Sequence, residues 1–477
     1  MAGGEGGGVI AAGEALVGGR AATPGLARIA AHAALAIIAI KPILDFQGEK
    51  TPYDAVDLGT LASGVGAVLM VVSFCAVLLA SRRITAEALA APALVAALLL
   101  LSITNLMAAP WRGALFHTFS MPQPELFGPP VDPASGIVVD AAKLALGFAP
   151  VALFSVVLLR EHWFSAPRMS WVAHGILIGA AAHALVAWLQ LLGVVEYTFF
   201  FRLPGGSIGR ASGGYYHPTS LGGLLIVAVF LCYAVYPRLG WSGRRRYAFV
   251  AFLLATAAIT LHRMTILCVL LLIAGFELIR VHEALRSGRI RRRTLRDAAA
   301  ILAAAGAATL VVARRWGGEI AEAATFLTSQ AVGALQLGTD AFLRGRGMIW
   351  SEYARVWSDA PVDVWLTGIG FEPWNTHNDA LRVGVVWGVV GLLLMGLVLM
   401  KLVVAAWRRV DRRGRWALVC LYATFAAFGS TQKPTAYPYF IWMFVITHVL
   451  LIVLARRVER GAGAVPAEVA LPRLAGR

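Results

Sequence analysis

Residues 376–404 read THNDALRVGVVWGVVGLLLMGLVLMKLVV, a short polar segment running directly into an apolar stretch notched by Gly384, Gly388 and Gly391. At about 1.5 Å per helical residue, the part from Ala380 onward is long enough to cross a hydrocarbon core of about 30 Å. The rest of the 477-residue chain repeats the pattern: 59% of it is hydrophobic and only 14% charged, with a mean hydropathy of +0.72. Those values exclude a soluble globular protein. Apolar windows at 29–44, 58–80, 88–107, 137–159, 169–194, 218–237, 247–261, 264–279, 298–312, 380–404, 416–428 and 439–455 predict an all-α polytopic membrane protein of about 12 transmembrane helices. They form a single membrane domain over residues 28–456, flanked by disordered segments at 1–27 and 457–477. Leu261-His262-Arg263-Met264 divides two of the windows and reads as a tight turn, a kink or a buried polar site.

A net charge of +16 would suit nucleic acid, but its placement excludes that partner. Arg82-Arg83, Arg160, Arg238 with Arg244-Arg245-Arg246, the run from Arg286 to Arg296, Arg408 to Arg415 and Arg456-Arg457 all fall in alternate loops. This is the positive-inside pattern; it makes those loops and both termini cytoplasmic, and turns 45–57, 108–135, 195–217, 313–379 and 429–438 outward. Cys75, Cys232, Cys268 and Cys420 all lie in apolar windows, where they pair with nothing and ligate nothing. The first window, preceded by Arg20 and Arg28, reads as an uncleaved anchor.

Arginines that break the charge rule are the informative ones. Arg202 and Arg210 sit in a glycine-rich outer loop ending in His217-Pro218, Arg263 lies at the break between two windows, and Arg344, Arg346 and Arg355 occupy the large outer loop. Taken singly, each reads as a surface or snorkelling charge; several on one side of a membrane read as an anion site, because the guanidinium fork matches phosphate oxygens. From Arg346 to Asp359, Ile349, Trp350, Tyr353, Val356 and Trp357 recur at helical spacing, so the large loop (315–379) carries an amphipathic helix with Arg346 one turn before Trp350. Its aromatic stripe either lies on the membrane interface or roofs a cavity. His377 follows two capping residues, Asn375 and Thr376, and precedes Leu381, Gly384, Gly388 and Gly391 on one helical face. A helix N-terminus and nearby arginines both disfavour imidazolium, so His377 is a candidate proton acceptor, with a capping or structural histidine as the alternative.

Arg210-x-x-Gly213 with His217-Pro218, the break at Arg263, Arg346-x-x-x-Trp350, Leu366-x-Gly368-x-Gly370, and His377-Asn378 followed by Gly384 and Gly388-x-x-Gly391 occur in an order that resembles the O-antigen ligase and polymerase superfamily of bacterial membrane glycosyltransferases. The likeness runs over roughly residues 209–392. It departs in having His262 where a serine usually precedes the arginine, and Thr219 where an asparagine often follows the proline. The resemblance implies a GT-C-like enzyme of the bacterial inner membrane, working at the periplasmic face in lipopolysaccharide or related polysaccharide biosynthesis. Its donor would be a glycan on undecaprenyl diphosphate and its acceptor a sugar hydroxyl of a glycan or glycolipid such as lipid A-core. Arg210, Arg263 and Arg346, with Trp350, His217 and Asn378, would bind substrate, and His377 would act as general base. Glycine notches would let the lipid tail enter sideways. The resembled ligases need no metal and no cofactor; Asp45, Glu49, Asp54 and Asp57 suit either the metal-binding first loop of other GT-C enzymes or a plain outward loop. One dominant outer loop favours a ligase over a repeat-unit polymerase; a lipid-linked glycan flippase is the reading without chemistry, and the lack of an evident internal repeat or of paired Gly/Pro-broken helices in the two halves counts against it.

Overall fold

The computed structural model describes residues 25–46, 58–80, 86–108, 133–160, 166–199, 210–215, 217–286 and 346–463. The elements are α1 (Gly25–Leu44), α2 (Leu58–Ala80), α3 (Ala86–Ala108), α4 (Pro133–Lys143), α5 (Ala149–Arg160), α6 (Ala166–Leu191), α7 (Pro218–Ala234), α8 (Gly243–Ile259), α9 (Arg263–Arg286), α10 (Arg346–Ser358), α11 (Val362–Thr367), α12 (Asp379–Trp407), α13 (Arg412–Gly429) and α14 (Pro438–Gly463). No strand occurs among the described residues. Among the described residues seven helices are long and apolar enough to cross a membrane, and two shorter apolar ones, Pro92–Ala108 and Pro218–Ala234, accompany them. The chain is therefore a helical multi-pass membrane protein. A helix stands at each apolar window except 298–312, which lies outside the described residues.

Burial sorts the helices into a centre and a perimeter. α7 is apolar on all sides and buried along almost its whole length, and α14 is 89% buried over its apolar window. Helices without a polar face belong inside a bundle. They pack on each other and on α5, α6, α8 and α9. At the rim, Leu61, Val65 and Val68 of α2, Ile178 and Leu185 of α6, and Leu393, Leu397 and Met400 of α12 are exposed, which is costly in water and neutral against lipid chains. Small residues set the close crossings: a Cβ on Gly175 of α6 would stand 2.6 Å from the Ala39 carbonyl of α1.

Three windows depart from straight helices. Leu144–Phe148 forms a π-turn joining α4 to α5, and Trp442 Nε1 donates to the Leu146 and Gly147 carbonyls there, each at 3.0 Å. The Leu261-His262-Arg263 segment is a tight turn: α8 stops at Ile259, Leu261 adopts φ 49°, and α9 begins at Arg263. The third break, at Gly388 (φ 66°, ψ −167°), interrupts α12. It removes the single helical face expected to carry Leu381, Gly384, Gly388 and Gly391 together, because the backbone changes direction inside that series. The carbonyls freed by the break find partners in the incoming loop: Ile369 N–H donates to Val385 O at 2.8 Å and Gly370 N–H to Val386 O at 3.0 Å. Asn105 Nδ2 of α3 donates to Val386 O at 3.0 Å and to Thr367 O at 2.8 Å. Gly368 (φ 76°) and Gly388 face each other so closely that a Cβ on either would run into backbone of the opposing segment.

Charges divide between the two ends of the bundle. At one end Arg238 bonds Asp411 at 2.5 Å and Arg413 bonds Glu283 at 2.8 Å, joining three of the arginine-rich loops. At the other, segments 42–46, 210–217, 260–262, 371–379 and 430–437 meet through hydrogen bonds. The arginine-rich and outward-read loops that fall among the described residues thus gather at opposite ends of the bundle; Arg82-Arg83 and residues 109–132 lie outside the described residues.

Gly388→Ala should destabilise the protein by about 3 kcal/mol or more, through a left-handed backbone and a backbone clash. Gly396→Ala in the same helix, where a Cβ meets nothing within 4 Å, is expected to be neutral or slightly stabilising. Thermal melting of the detergent-purified variants compares the two.

Candidate functional site

Loop 210–217 is fastened to α6 by two polar side chains buried in an apolar helix. Gln190 Oε1 accepts from the Ser212 and Gly213 amides, both at 3.0 Å, and its Nε2 donates to Gly213 O. His183 accepts from Gly214 N at 3.0 Å through Nδ1, donates from Nε2 to Pro42 O at 2.6 Å, and stacks between Phe46 and Tyr215 with ring centroids 4.1 and 4.0 Å away. Gly213 (φ 63°) leaves no room for a side chain, since a Cβ would lie 2.6 Å from His183 O. Thus held, Arg210 reaches the turn before α9, with Nε 3.3 Å from Thr260 O and Nη2 3.4 Å from Leu261 O. His217 caps α7, its Nδ1 accepting from Thr219 N at 3.1 Å. Burial, aided by the Arg210 charge, lowers its pKa to about 4.

The second half of the site is loop 371–378 and the helix that covers it. α10 lays Ile349, Tyr353 and Val356 onto Ile137, Val364, Phe371, Trp374 and Val385 in an apolar cluster of its own. Part of its aromatic stripe is thus turned onto loop 371–378, which it covers. Trp350 Nε1 donates to Thr376 O at 2.7 Å, and the Tyr353 hydroxyl both donates to Trp374 O and accepts from Trp374 N. Beneath lies Glu372, whose Oε1 accepts from Thr376 N at 2.6 Å and Thr376 Oγ1 at 2.8 Å, while Lys433 Nζ donates to its Oε2 at 2.6 Å. Burial works to raise the Glu372 pKa, but Lys433, Arg382 and the Thr376 amide outweigh it and hold the carboxyl below the usual range. His377 follows in the left-handed region at φ 50°, its amide donating to Asn375 Oδ1 at 3.1 Å. Asn378, rather than Asn375 or Thr376, caps α12: its Oδ1 accepts from Leu381 N at 2.9 Å and its Nδ2 donates to Ser430 O at 3.2 Å. Asp379 accepts from both the amide and the hydroxyl of Thr435.

The connection 430–437 ties the halves together, because Gln432 lies 3.0 Å from His262 Nε2 while Ser430, Lys433 and Thr435 bind Asn378, Glu372 and Asp379. Arg210, His217, His377, Asn378 and Trp350 are therefore members of one connected rim. Arg263 opens α9 and is exposed, whereas the neighbouring His262 is buried. Arg346 opens α10, but its side chain, like Arg202, Arg344, Glu49, Asp54 and Asp57, lies outside the described residues. Arg355 is neutralised by Glu352 at 2.6 Å.

Sequence reasoning missed the charges below the rim. Arg382 is 1% exposed and its guanidinium makes no hydrogen bond among the described residues; its Nη2 lies 3.5 Å from Asp140 and its guanidinium 5.2 Å from the Trp387 ring. Arg382 three residues after Asp379, and Asp140 within an apolar window, were the available signals. Among the described residues no group of three or more His, Cys, Asp or Glu side chains is placed to hold a metal ion, and Asp45 is paired with Lys41 at 2.5 Å. Compared with known proteins, the chain matches no family model and no curated sequence.

His217 stays neutral when folded yet takes up a proton near its ordinary 6.5 when unfolded. Folding is therefore weakened as pH falls from 6.5 towards about 4. His217→Asn, which caps without titrating in this range, is expected to flatten the fall in melting temperature over that interval. Lys433→Met should cost about 3–5 kcal/mol by stranding the Glu372 carboxylate, and adding Glu372→Gln should recover most of the loss. Chemical unfolding of the single and double variants measures the coupling.

Proposed function

We propose that this protein is a polyprenyl-diphosphate-dependent glycosyltransferase of the O-antigen ligase type, built on about 12 membrane helices in a GT-C-like arrangement. On this reading the rim faces the periplasm and the arginine-paired end the cytoplasm, in keeping with the charge alternation. The observation that carries the proposal is His377: a residue in a strained left-handed conformation, fixed by the Glu372–Thr376 hydrogen bonds and the Asn378 cap, on the same hydrogen-bonded rim as Arg210. Backbone strain of this kind costs roughly 1–3 kcal/mol and gathers at functional sites.

The reaction asks little else of the protein. An acceptor hydroxyl oxygen attacks the anomeric carbon of the donor sugar as the bond from that carbon to the phosphate oxygen breaks. His377 takes the hydroxyl proton, and undecaprenyl diphosphate leaves with the bonding electrons. Arg210, Arg263 and Arg346 are assigned to the diphosphate, where fixed cations stabilise the charge that develops on the leaving group. Arg210 bonds the Thr260 and Leu261 carbonyls at 3.3 and 3.4 Å, contacts that position its guanidinium at the rim, and a guanidinium fork matches phosphate oxygens. Trp350, His217 and Asn378 hold the two loops from which these groups project.

His377→Ala should reduce transfer of glycan from a polyprenyl-diphosphate donor by about a hundred- to ten-thousand-fold while the protein remains folded and still binds donor. Arg210→Lys is expected to weaken donor binding, because an ammonium keeps the charge and loses the fork. Near-normal transfer by His377→Ala would sink the catalytic assignment and favour a lipid-glycan transporter. Comparing a lipid A-core acceptor with a second lipid-linked repeat unit separates ligase from polymerase.

A further inference from the structure

Between the start of α7 and the ends of α1, α2 and α14 lies a cavity of about 280 Å³. Its polar wall includes Lys41, Asp45, Tyr215 and Ser220, and its apolar wall the rings of Tyr439 and Phe440. Lys41 is 3% exposed and sits at the end of an apolar helix. Its ammonium donates to Asp45 Oδ1 at 2.5 Å and to Gly59 O at 3.0 Å. Among the described residues the third N–H meets only the face of Tyr439, whose centroid is 5.5 Å away. The Tyr215 hydroxyl is likewise buried, in a ring 4% exposed, with the Tyr439 hydroxyl beside it.

A buried polar group left unmade is costly unless something else completes it. Buried polar groups beside aromatic faces, in a space of this size, define what fits. A lipid chain would leave the ammonium, carboxylate and hydroxyls unmet. A phosphate or carboxylate would be repelled by Asp45, whose charge cancels that of Lys41, so the pocket carries no net charge to attract an anion. A ring with polar edges and an apolar face meets both walls, and the volume, just under the usual range for drug-sized ligands, suits one such ring and not a chain of them.

We propose that this cavity is a saccharide subsite that takes a single uncharged pyranose ring. Lys41 and Asp45 bond its hydroxyls as donor and acceptor, Tyr215 and Ser220 supply further hydroxyls, and Tyr439 and Phe440 lie against its C–H face. The cavity borders the candidate site directly, because Thr219 lines it and also lies 3.4 Å from His262 Nε2. The subsite deepens the glycosyltransferase reading and rests on it for its place in a reaction, while sugar binding itself is measured without transfer.

The test is saturation-transfer NMR on the full chain in nanodiscs, with methyl glucoside, galactoside, mannoside and rhamnoside as probes. Methyl glucuronide and inorganic phosphate serve as charged competitors. At least one neutral glycoside should receive saturation and keep it in an excess of phosphate or glucuronide. Tyr215→Phe, which removes only the hydroxyl and keeps the ring on His183, and Ser220→Ala should each weaken that binding about fivefold, the loss of one neutral hydrogen bond. His377→Ala should leave it unchanged. Saturation of none of the four glycosides, equal binding by both pocket variants, or displacement by phosphate or glucuronide would overturn the proposal. Glycoside binding by a protein that transfers no glycan would sink the enzymatic reading and leave the subsite standing, whereas transfer without glycoside binding would do the reverse.

Discussion

In hydrocarbon a backbone carbonyl without a partner costs several kcal/mol, and α12 can leave its own hydrogen-bond ladder at Gly388 only because other groups take over the carbonyls it frees. Ile369 and Gly370 supply two amides and Asn105 a side-chain amide from α3. That exchange draws the chain after α11 into the bundle, where it runs against the broken helix for a few residues before turning as loop 371–378. The roof helix α10, the loop and His377 all take their positions from this crossing. Irregular backbone at such depth is tolerated where protein encloses it, and here Leu366, Thr367 and Gly368 provide the enclosure.

Electrostatics completes what the crossing begins. Asp140, Glu372 and Asp379 are buried close to Lys143, Arg382 and Lys433, so acids and cations balance within one polar layer. Ion pairs in such a place add little net stability but cost a great deal when one partner is removed, and the arrangement therefore fixes geometry more than it strengthens the fold. Glu372 shows the consequence most directly. Its carboxylate is neutralised by Lys433 on one oxygen and holds the Thr376 amide and hydroxyl on the other, leaving His377 the single residue through which the chain can turn towards the Asn378 cap. The base proposed for transfer is thus set on a rigid support.

The glycine-rich loop at the opposite side of the rim is held by different means. Gln190 and His183, each inside a helix that must satisfy its own backbone, lend side chains to the amides of residues 212–214. His183 is an instance of a mid-span histidine whose part is structural, stacked and doubly hydrogen-bonded. The two loops, anchored separately, are joined by the 430–437 connection, a short segment whose polar residues touch both.

The sequence alone determined that the chain is helical and membrane-spanning, where almost every described helix lies, and which loops share an end of the bundle. Those properties follow from local quantities, namely apolar length against bilayer thickness and the alternation of arginines. It also named Arg210, His217, Arg263, Arg346, Trp350, His377 and Asn378 as candidates, from arginines that break the charge rule, from helical spacing and from a family resemblance; their roles remain a proposal. Tertiary structure alone decided the break at Gly388, the roofing role of α10, the cap at Asn378 and the buried partners Asp140, Glu372, Arg382 and Lys433. A left-handed glycine within an apolar run is indistinguishable by composition from a helical one, and a charge shows its worth only when the opposite charge arrives from a distant part of the chain. Lys41 makes the same point: in the sequence it is a basic residue near a helix end, and only the meeting of α1, α2, α7 and α14 turns it into the wall of a cavity.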